Sequence, residues 1–284
     1  MQVLVTGSRG LVGAAVAATL AEARHVAVGY DLQEGRDILD VPTLREAMRG
    51  CDAVIHAAAL LGLPQESPSQ IMEVNLQGTW NVLSAAREAR VRRIVFVSSV
   101  DVLGVFKGER SPDYLPLDDL HPCYPSTAYG ISKYLAEEMC RCVAAASGLS
   151  ILALRPPGVW TRDTYAMILS ERSKRPAFEW DPFWEYGAFI DLRDLSLACL
   201  RALTCEVEGY RCVLLASSDI TTSGRTSREL VHLVHPGIEW RGGTQYEADP
   251  YRTLVEIAPA RDLLGWSPQH TWRRAMERGV QPAS

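Results

Sequence analysis

The chain opens on a strand, a glycine turn and a helix, and that order constrains its fold more than any other feature. "QVLVT" (2–6) is a short apolar run, rich in β-branched residues, that ends at glycine, so it reads as a buried strand. "LVGAAVAATLAEA" (11–23) is long and alanine-rich, which favours a helix. "HVAVGYD" (25–31) supplies a second strand. A strand–helix–strand unit of this kind begins a parallel sheet.

The alternation continues through "DAVIHAAA" (52–59), a helical stretch near 70–90, "RIVFVSS" (93–99), a helix near 127–147 and "LSILAL" (149–154). After "RPPG" (155–158) the pattern weakens, and residues 161–189 carry Pro, Trp, Phe and Tyr without clear periodicity. "DLRDLSLACLRAL" (191–203) predicts a helix and "YRCVLLAS" (210–217) a late strand. The expected fold class is α/β, a doubly wound, Rossmann-like parallel sheet with a small C-terminal substrate-binding cap. The expected boundaries are 1–155 for the dinucleotide-binding domain and 156–284 for the cap, with segments of the latter returning to the former.

Composition removes several functional classes. The 284 residues are 47% apolar with a formal charge of −5, which supplies a large core and argues against nucleic acid as a partner. No apolar run approaches the ~18 residues of a membrane span, and no signal peptide precedes "QVLVTG". Seven cysteines without regular spacing read as reduced thiols of a cytoplasmic protein. The six histidines form no metal-binding pattern, so no metal is expected.

"VTGSRGLVG" places Gly7, Gly10 and Gly13 between the first strand and the first helix. The first glycine permits the tight turn, and the second lets a pyrophosphate approach free N–H groups at the helix N-terminus. The third allows close helix–sheet packing. No Gly-Lys-Ser/Thr follows, so the turn is not a P-loop. Asp31 ends the second strand, where a carboxylate accepts hydrogen bonds from ribose hydroxyls and repels a 2′-phosphate. That favours NAD over NADP; Arg9 and Arg36 pull the other way.

Further along, "DIL" (37–39), "VIHAAA" (54–59), "VNLQGTWNVL" (74–83), "FVSS" (96–99), "YGISK" (129–133), "LRPPGV" (154–159), "FIDLRDL" (189–195) and "ARDLLGWSP" (260–268) occur in this order. Together with the glycine loop they make the chain resemble the extended short-chain dehydrogenase/reductases, in particular the NAD-dependent epimerase/dehydratase family, over nearly its whole length. The resemblance implies that Gly7, Arg9, Gly10, Leu11, Val12 and Gly13 meet the cofactor, with Asp31 at the ribose and Asp37 and Ile38 at the adenine. It gives Ala57, Ala58 and Ala59 the wall beside the ribose and pyrophosphate, and assigns Asn75, Val97, Tyr129, Lys133 and Pro156 to the same cofactor. It makes Ser99, Tyr129 and Lys133 the catalytic set, with Ser98 as the rival to Ser99. It also implies a homodimer acting on a small molecule.

The chemistry agrees with those roles. Residues four apart share a helix face, so Tyr129 and Lys133 converge. A free phenol, with pKa ~10, is a poor base at neutral pH. A nearby ammonium favours the phenolate, which takes a proton from a substrate hydroxyl as hydride leaves its carbon. Ser99 would hold the substrate oxygen. His56, in an apolar strand end, reads as a satisfied core histidine.

The family pattern also breaks. "VDVLG" follows Ser99, so Leu103 replaces a frequent tyrosine, and Val100 and Asp101 stand where dehydratases carry two acids. Asp101 is open between a second acid/base and a turn residue. Gly158 stands where sugar-nucleotide enzymes often carry asparagine. The aromatic residues Phe178, Trp180, Phe183, Trp184, Tyr186 and Phe189 are expected mainly to close the cap core, with Trp180 the candidate for substrate contact beside Ser99, Val100, Asp101, Tyr129 and Gly158. The expected activity is NAD-dependent oxidation or reduction of a secondary alcohol or ketone of a sugar, uronate or similar polar molecule. A sugar 4-epimerase or dehydratase is the alternative, and a non-catalytic dinucleotide sensor a remote one.

Overall fold

The structure is a computed structural model and describes residues 1–175, 185–221 and 224–277. β1 (Gln2–Thr6), α1 (Leu11–Glu22) and β2 (Val26–Tyr30) form the opening unit. α2 (Val41–Met48) leads to β3 (Ala53–His56), then α3 (Pro68–Met72), a π turn at Glu73–Gln77 and α4 (Gly78–Glu88). β4 (Arg93–Val97), the short β5 (Tyr114–Leu115), the long α5 (Ala128–Ser147) and β6 (Ser150–Arg155) follow. The remainder holds β7 (Val159–Trp160), α6 (Arg162–Lys174), β8 (Ile190–Asp191), α7 (Leu192–Ala202) and β9 (Tyr210–Leu214). It closes with α8 (Ser227–Val234), β10 (Glu239–Trp240), α9 (Gln245–Ala248), α10 (Ala258–Leu264) and α11 (Trp272–Glu277).

Six strands form one parallel sheet in the order β2-β1-β3-β4-β6-β9. Side chains alternate across it, as the two-residue strand period demands. Val3, Val5, Ile55, Val95, Val97, Leu152 and Leu154 face one core, which α1, α7 and α10 cover with Val16, Leu20, Leu195, Cys199 and Leu264. Leu4, Val54, Ile94, Phe96, Ile151 and Ala153 face the other, covered by α2, α4 and α5 through Leu44, Met48, Val82, Ala136 and Cys140. Both faces are therefore dry, which explains why these strands read as continuous apolar runs. The chain leaves β1 to one side for β2 and returns on the other side as β3. This reversal opens a crevice at the carboxyl ends of β1 and β3, where doubly wound sheets bind ligands.

The late strand expected from "YRCVLLAS" is β9, the sheet's last member. The expectation of irregular structure across 161–189 fails over Arg162–Lys174, which is α6. A capping box between Thr161 and Thr164 starts that helix, yet only Tyr165 and Ile168 along it are buried, so its apolar stripe is too short to read as a period. Tyr186 and Phe189 are core residues, 5% and 0% exposed, while Phe178, Trp180, Phe183 and Trp184 lie outside the described residues. Phe189 joins Trp160, Tyr165, Ile168 and Trp272 in a compact aromatic cluster. Two sequence motifs meet in space, since Asp194 of α7 accepts the N–H groups of Gln269 and His270 and its carbonyl accepts the Trp266 indole. Among the described residues no helix is long and apolar enough to cross a membrane, and no group of His, Cys, Asp and Glu has a metal-holding arrangement.

Candidate active site

The glycine loop is tight because its neighbours leave no room for side chains. Gly7 has φ +70°, and a Cβ there would lie 2.8 Å from the Ala58 backbone. A Cβ on Gly13 would lie 2.1 Å from the Gly7 carbonyl oxygen. The loop is thus pressed between the Ala57–Ala58 strand end and the first turn of α1. Gly10 caps α1 with no side-chain hydrogen bond, so no side chain covers the first-turn N–H groups next to Leu11, Val12 and Gly13. The 53%-exposed Leu11 stands at this mouth, and Val12 packs on the core. Uncapped N–H groups and the positive end of a 12-residue helix suit a pyrophosphate.

Asp31 is buried beside the loop. Its carboxylate accepts the Arg9 N–H (2.8 Å) and the Gln33 N–H (2.9 Å). The Arg9 guanidinium donates to Glu34, with Nε 2.7 Å from Oε1. Arg36 donates to the Gly29 carbonyl (2.7 Å). Asp37 accepts the Leu39 N–H (2.9 Å) and so shapes its own turn. Ile38 is 5% exposed and packs where Gly78 lacks a side chain; a Cβ there would lie 2.4 Å from Ile38 Cδ1.

His56 takes the bland role expected of it. Thr79 donates its hydroxyl to the Asn75 carbonyl (2.5 Å), so His56 Nε2–H donates to Thr79 (3.0 Å) and Nδ1 accepts from Thr6 (2.6 Å). Complete burial, then the charge of Lys133, push its pKa down to about 3. Asn75 lies on the π turn, where an extra residue re-aims the side chain. Its amide accepts the Leu60 N–H (2.8 Å) and donates to the Leu60 carbonyl and Ser132 Oγ, both at 2.9 Å. Asn75 therefore ties the strand-end loop that carries Ala59 to α5.

Tyr129 sits in the first turn of α5, and Thr127 caps that helix through the Gly130 N–H (3.0 Å). Lys133 follows one turn later and is 3% exposed. Its Nζ donates to the Val97 carbonyl (2.8 Å) and lies 5.8 Å from the Tyr129 ring centroid. Burial pushes the Lys133 ammonium down to about 8, with Glu137 partly opposing that shift. Ser98 and Ser99, adjacent in sequence, have opposite fates. Ser98 donates into the core to Glu137 (2.5 Å), whereas Ser99 accepts the Asp101 N–H (3.1 Å) and keeps its own proton to donate. Val100 is buried and its N–H donates to the Pro156 carbonyl (3.1 Å). Gly158 accepts the Ile190 N–H (3.0 Å). The structure thus brings Val97, Ser99, Val100, Asp101, Tyr129, Lys133 and Pro156 to the carboxyl end of β4.

Three features had no counterpart in the sequence reading. Lys107 donates to Asp101, and its Nζ also lies 5.8 Å from the Tyr129 ring centroid. Asp101 is 6% exposed; burial raises its pKa, with Lys107 opposing that rise. Glu34 holds Arg9, as above. Glu137 forms a buried ion pair with Arg155 (2.6 Å) and accepts the Tyr210 hydroxyl (3.1 Å). Burial alone would lower the Arg155 pKa, but the Glu137 hydrogen bonds and charge more than reverse this and raise it. Glu137 was discoverable, since it continues the four-residue spacing of Tyr129 and Lys133. Lys107 lies on a loop and Glu34 on a single helical turn, Leu32–Glu34, and neither has a period to mark it.

Comparisons with known proteins bear on the fold and the family. A putative UDP-glucose 4-epimerase of Methanocaldococcus jannaschii is 28% identical over 98% of this chain and 97% of its own. An L-arabinose 1-dehydrogenase (NAD(P)(+)) of Haloferax volcanii is 34% identical over 57% of this chain and 68% of its own. A short-chain dehydrogenase/reductase superfamily protein from Agrobacterium tumefaciens, solved with bound NAD, has the same fold, with a TM-score of 0.71 at 22% identity over 99% of this chain and 96% of that one. The sequence pattern of the NAD dependent epimerase/dehydratase family matches residues 3–172. With the glycine loop, the Ser99–Tyr129–Lys133 set and that match in hand, the chain belongs to the NAD dependent epimerase/dehydratase family.

Proposed function

We propose that the protein is an NAD-dependent oxidoreductase acting on a secondary alcohol or ketone of a sugar, uronate or similar small polar molecule. The observation that carries this reading is the position of Lys133, buried on the Val97 carbonyl and facing the Tyr129 ring at the end of β4. When bound, NAD supplies the hydride acceptor. The uncapped N-terminus of α1 would hold its pyrophosphate, and the Asp31 carboxylate would accept from its adenosine ribose. Asp37 and Ile38 would meet the adenine, Ala57–Ala59 would form the wall beside the ribose and pyrophosphate, and Lys133 would anchor the nicotinamide ribose. Tyr129 Oη takes the proton of the substrate hydroxyl, its phenolate favoured by the Lys133 and Lys107 ammonium groups, each 5.8 Å from its ring centroid. Ser99 donates a hydrogen bond to the same substrate oxygen. Asp101 is bound to Lys107 and shapes the substrate side of the site.

A second reading is 4-epimerisation of a sugar nucleotide, favoured by the full-length relative of that description. Gly158 in place of asparagine leaves fewer polar groups for a nucleotide diphosphate, which supports net redox chemistry on a smaller substrate. Candidate sugars, uronates and sugar nucleotides, incubated with enzyme and NAD, separate the two. Stoichiometric NADH release from a free sugar or uronate supports the oxidoreductase. Conversion of a sugar nucleotide to its epimer without net NADH supports the second reading and overturns the first. The same proposal includes a homodimer through α4 and α5, which expose Trp80 and Leu135 at 45% and 40%, and a cytoplasmic location, since all seven cysteines are free thiols.

A further inference from the structure

We propose that Glu34 is a cofactor-specificity residue that keeps Arg9 away from an adenosine 2′-phosphate. Arg9 lies in the glycine loop, 60% exposed at its side chain, and a free guanidinium there would pair with a phosphate in the forked geometry that suits it. In this chain the guanidinium is already engaged. Both Nε and Nη2 donate to Glu34 Oε1, and the Arg9 backbone N–H is engaged by Asp31 (2.8 Å).

The position of Glu34 follows from the chain that carries it. Asp31 caps the single helical turn Leu32–Glu34 by accepting the Gln33 N–H. That turn returns Glu34 over the end of β2 and towards the loop. Gly29 lies beneath, where a Cβ would sit 3.8 Å from Glu34 Oε2. Arg36, the other cation close by, donates to the Gly29 carbonyl. Asp31, Glu34, Arg9 and Arg36 therefore surround the place where β2 ends, with no net charge and with both guanidiniums already engaged. A 2′-phosphate, with roughly two negative charges, would be repelled by the two carboxylates and would have to displace Glu34 to reach Arg9. A bare 2′-hydroxyl displaces nothing. Asp31 and Glu34 thus divide the task, Asp31 at the ribose and Glu34 by withholding the cation.

Titrations of the purified chain with NADH and NADPH test this without any substrate, so the result is independent of the reaction proposed above. Glu34→Gln releases Arg9 and brings the local charge to +1. NADPH binding should tighten roughly tenfold, with NADH binding changed less than about threefold. The gain should shrink between 50 and 500 mM salt, because the new contact is exposed. The double variant R9Q/E34Q should lose the gain. An unchanged NADPH-to-NADH ratio in E34Q overturns the proposal. So does equal weakening of both cofactors, or a gain that survives the loss of Arg9.

Discussion

Two lysines lie near the Tyr129 ring, and they are held by different means. Lys133 is buried and bonded to a backbone carbonyl of β4, which cannot move without the sheet. Lys107 is about half exposed and bonded to the Asp101 side chain, which can exchange one partner for another. The two ammonium groups lie at the same 5.8 Å from the Tyr129 ring centroid. Under the proposed function, the cofactor side is fixed by backbone and close packing, while the substrate side is arranged by a replaceable pair.

The comparison breaks first at Tyr129. Tyr129→Phe removes the oxygen both sides act upon, so turnover of the substrate found by the screen should fall at least ~10²-fold, with NADH binding largely intact. Near-normal turnover would show that neither lysine serves a phenol. Gly13→Ala attacks the cofactor side alone. Its Cβ would meet the Gly7 carbonyl at 2.1 Å, and overpacking of about 1–3 kcal/mol should weaken NADH binding by roughly tenfold or more in a fluorescence titration.

Lys107→Met attacks the substrate side alone. Turnover should fall several-fold, with KM raised as well, while the NADH dissociation constant stays put; a matching loss of NADH affinity would erase the distinction between the two lysines. A separate effect, on stability and not on turnover, concerns the buried His56. Its folded pKa of about 3 sits below the ordinary 6.5, so between those values the unfolded chain binds a proton that the folded one refuses. Stability is fully present above pH 6.5 and is lost as pH falls towards 3, by up to ~1.4 kcal/mol per pH unit. Urea unfolding of His56→Gln should start from a lower stability at pH 7 and lose less of it by pH 4.5.

Much of the cofactor side was legible because its requirements act on consecutive residues. Gly7, Gly10 and Gly13 are called for by one turn, and Tyr129 and Lys133 by one helical period. β-Strand runs such as "VLV" and "IVFV" show their burial on both faces directly. Elements that take their order from distant partners were not legible. α6 buries only Tyr165 and Ile168, and those against Phe189 and Trp272 from far along the chain. Asn75 reads as a cofactor residue, yet its amide is engaged by Leu60 and Ser132, an arrangement that depends on a π turn no local pattern announces. That Ser98 turns into the core depends on Glu137, which lies on another element.

Glu137 has one more consequence. It lies one turn beyond Lys133 on the same face of α5, and its carboxylate is gripped by Ser98 after β4, Arg155 of β6 and Tyr210 of β9. Apolar contacts let a helix roll a few degrees about its axis at little cost, but a forked guanidinium meeting a carboxylate does not. The rotational phase of α5, and with it the aim of Tyr129 and Lys133, is locked by polar contacts with three strand ends. Mutational drift among Ala136, Cys140 and Val143 should therefore erode thermal resistance long before it disturbs the alignment of the reacting atoms.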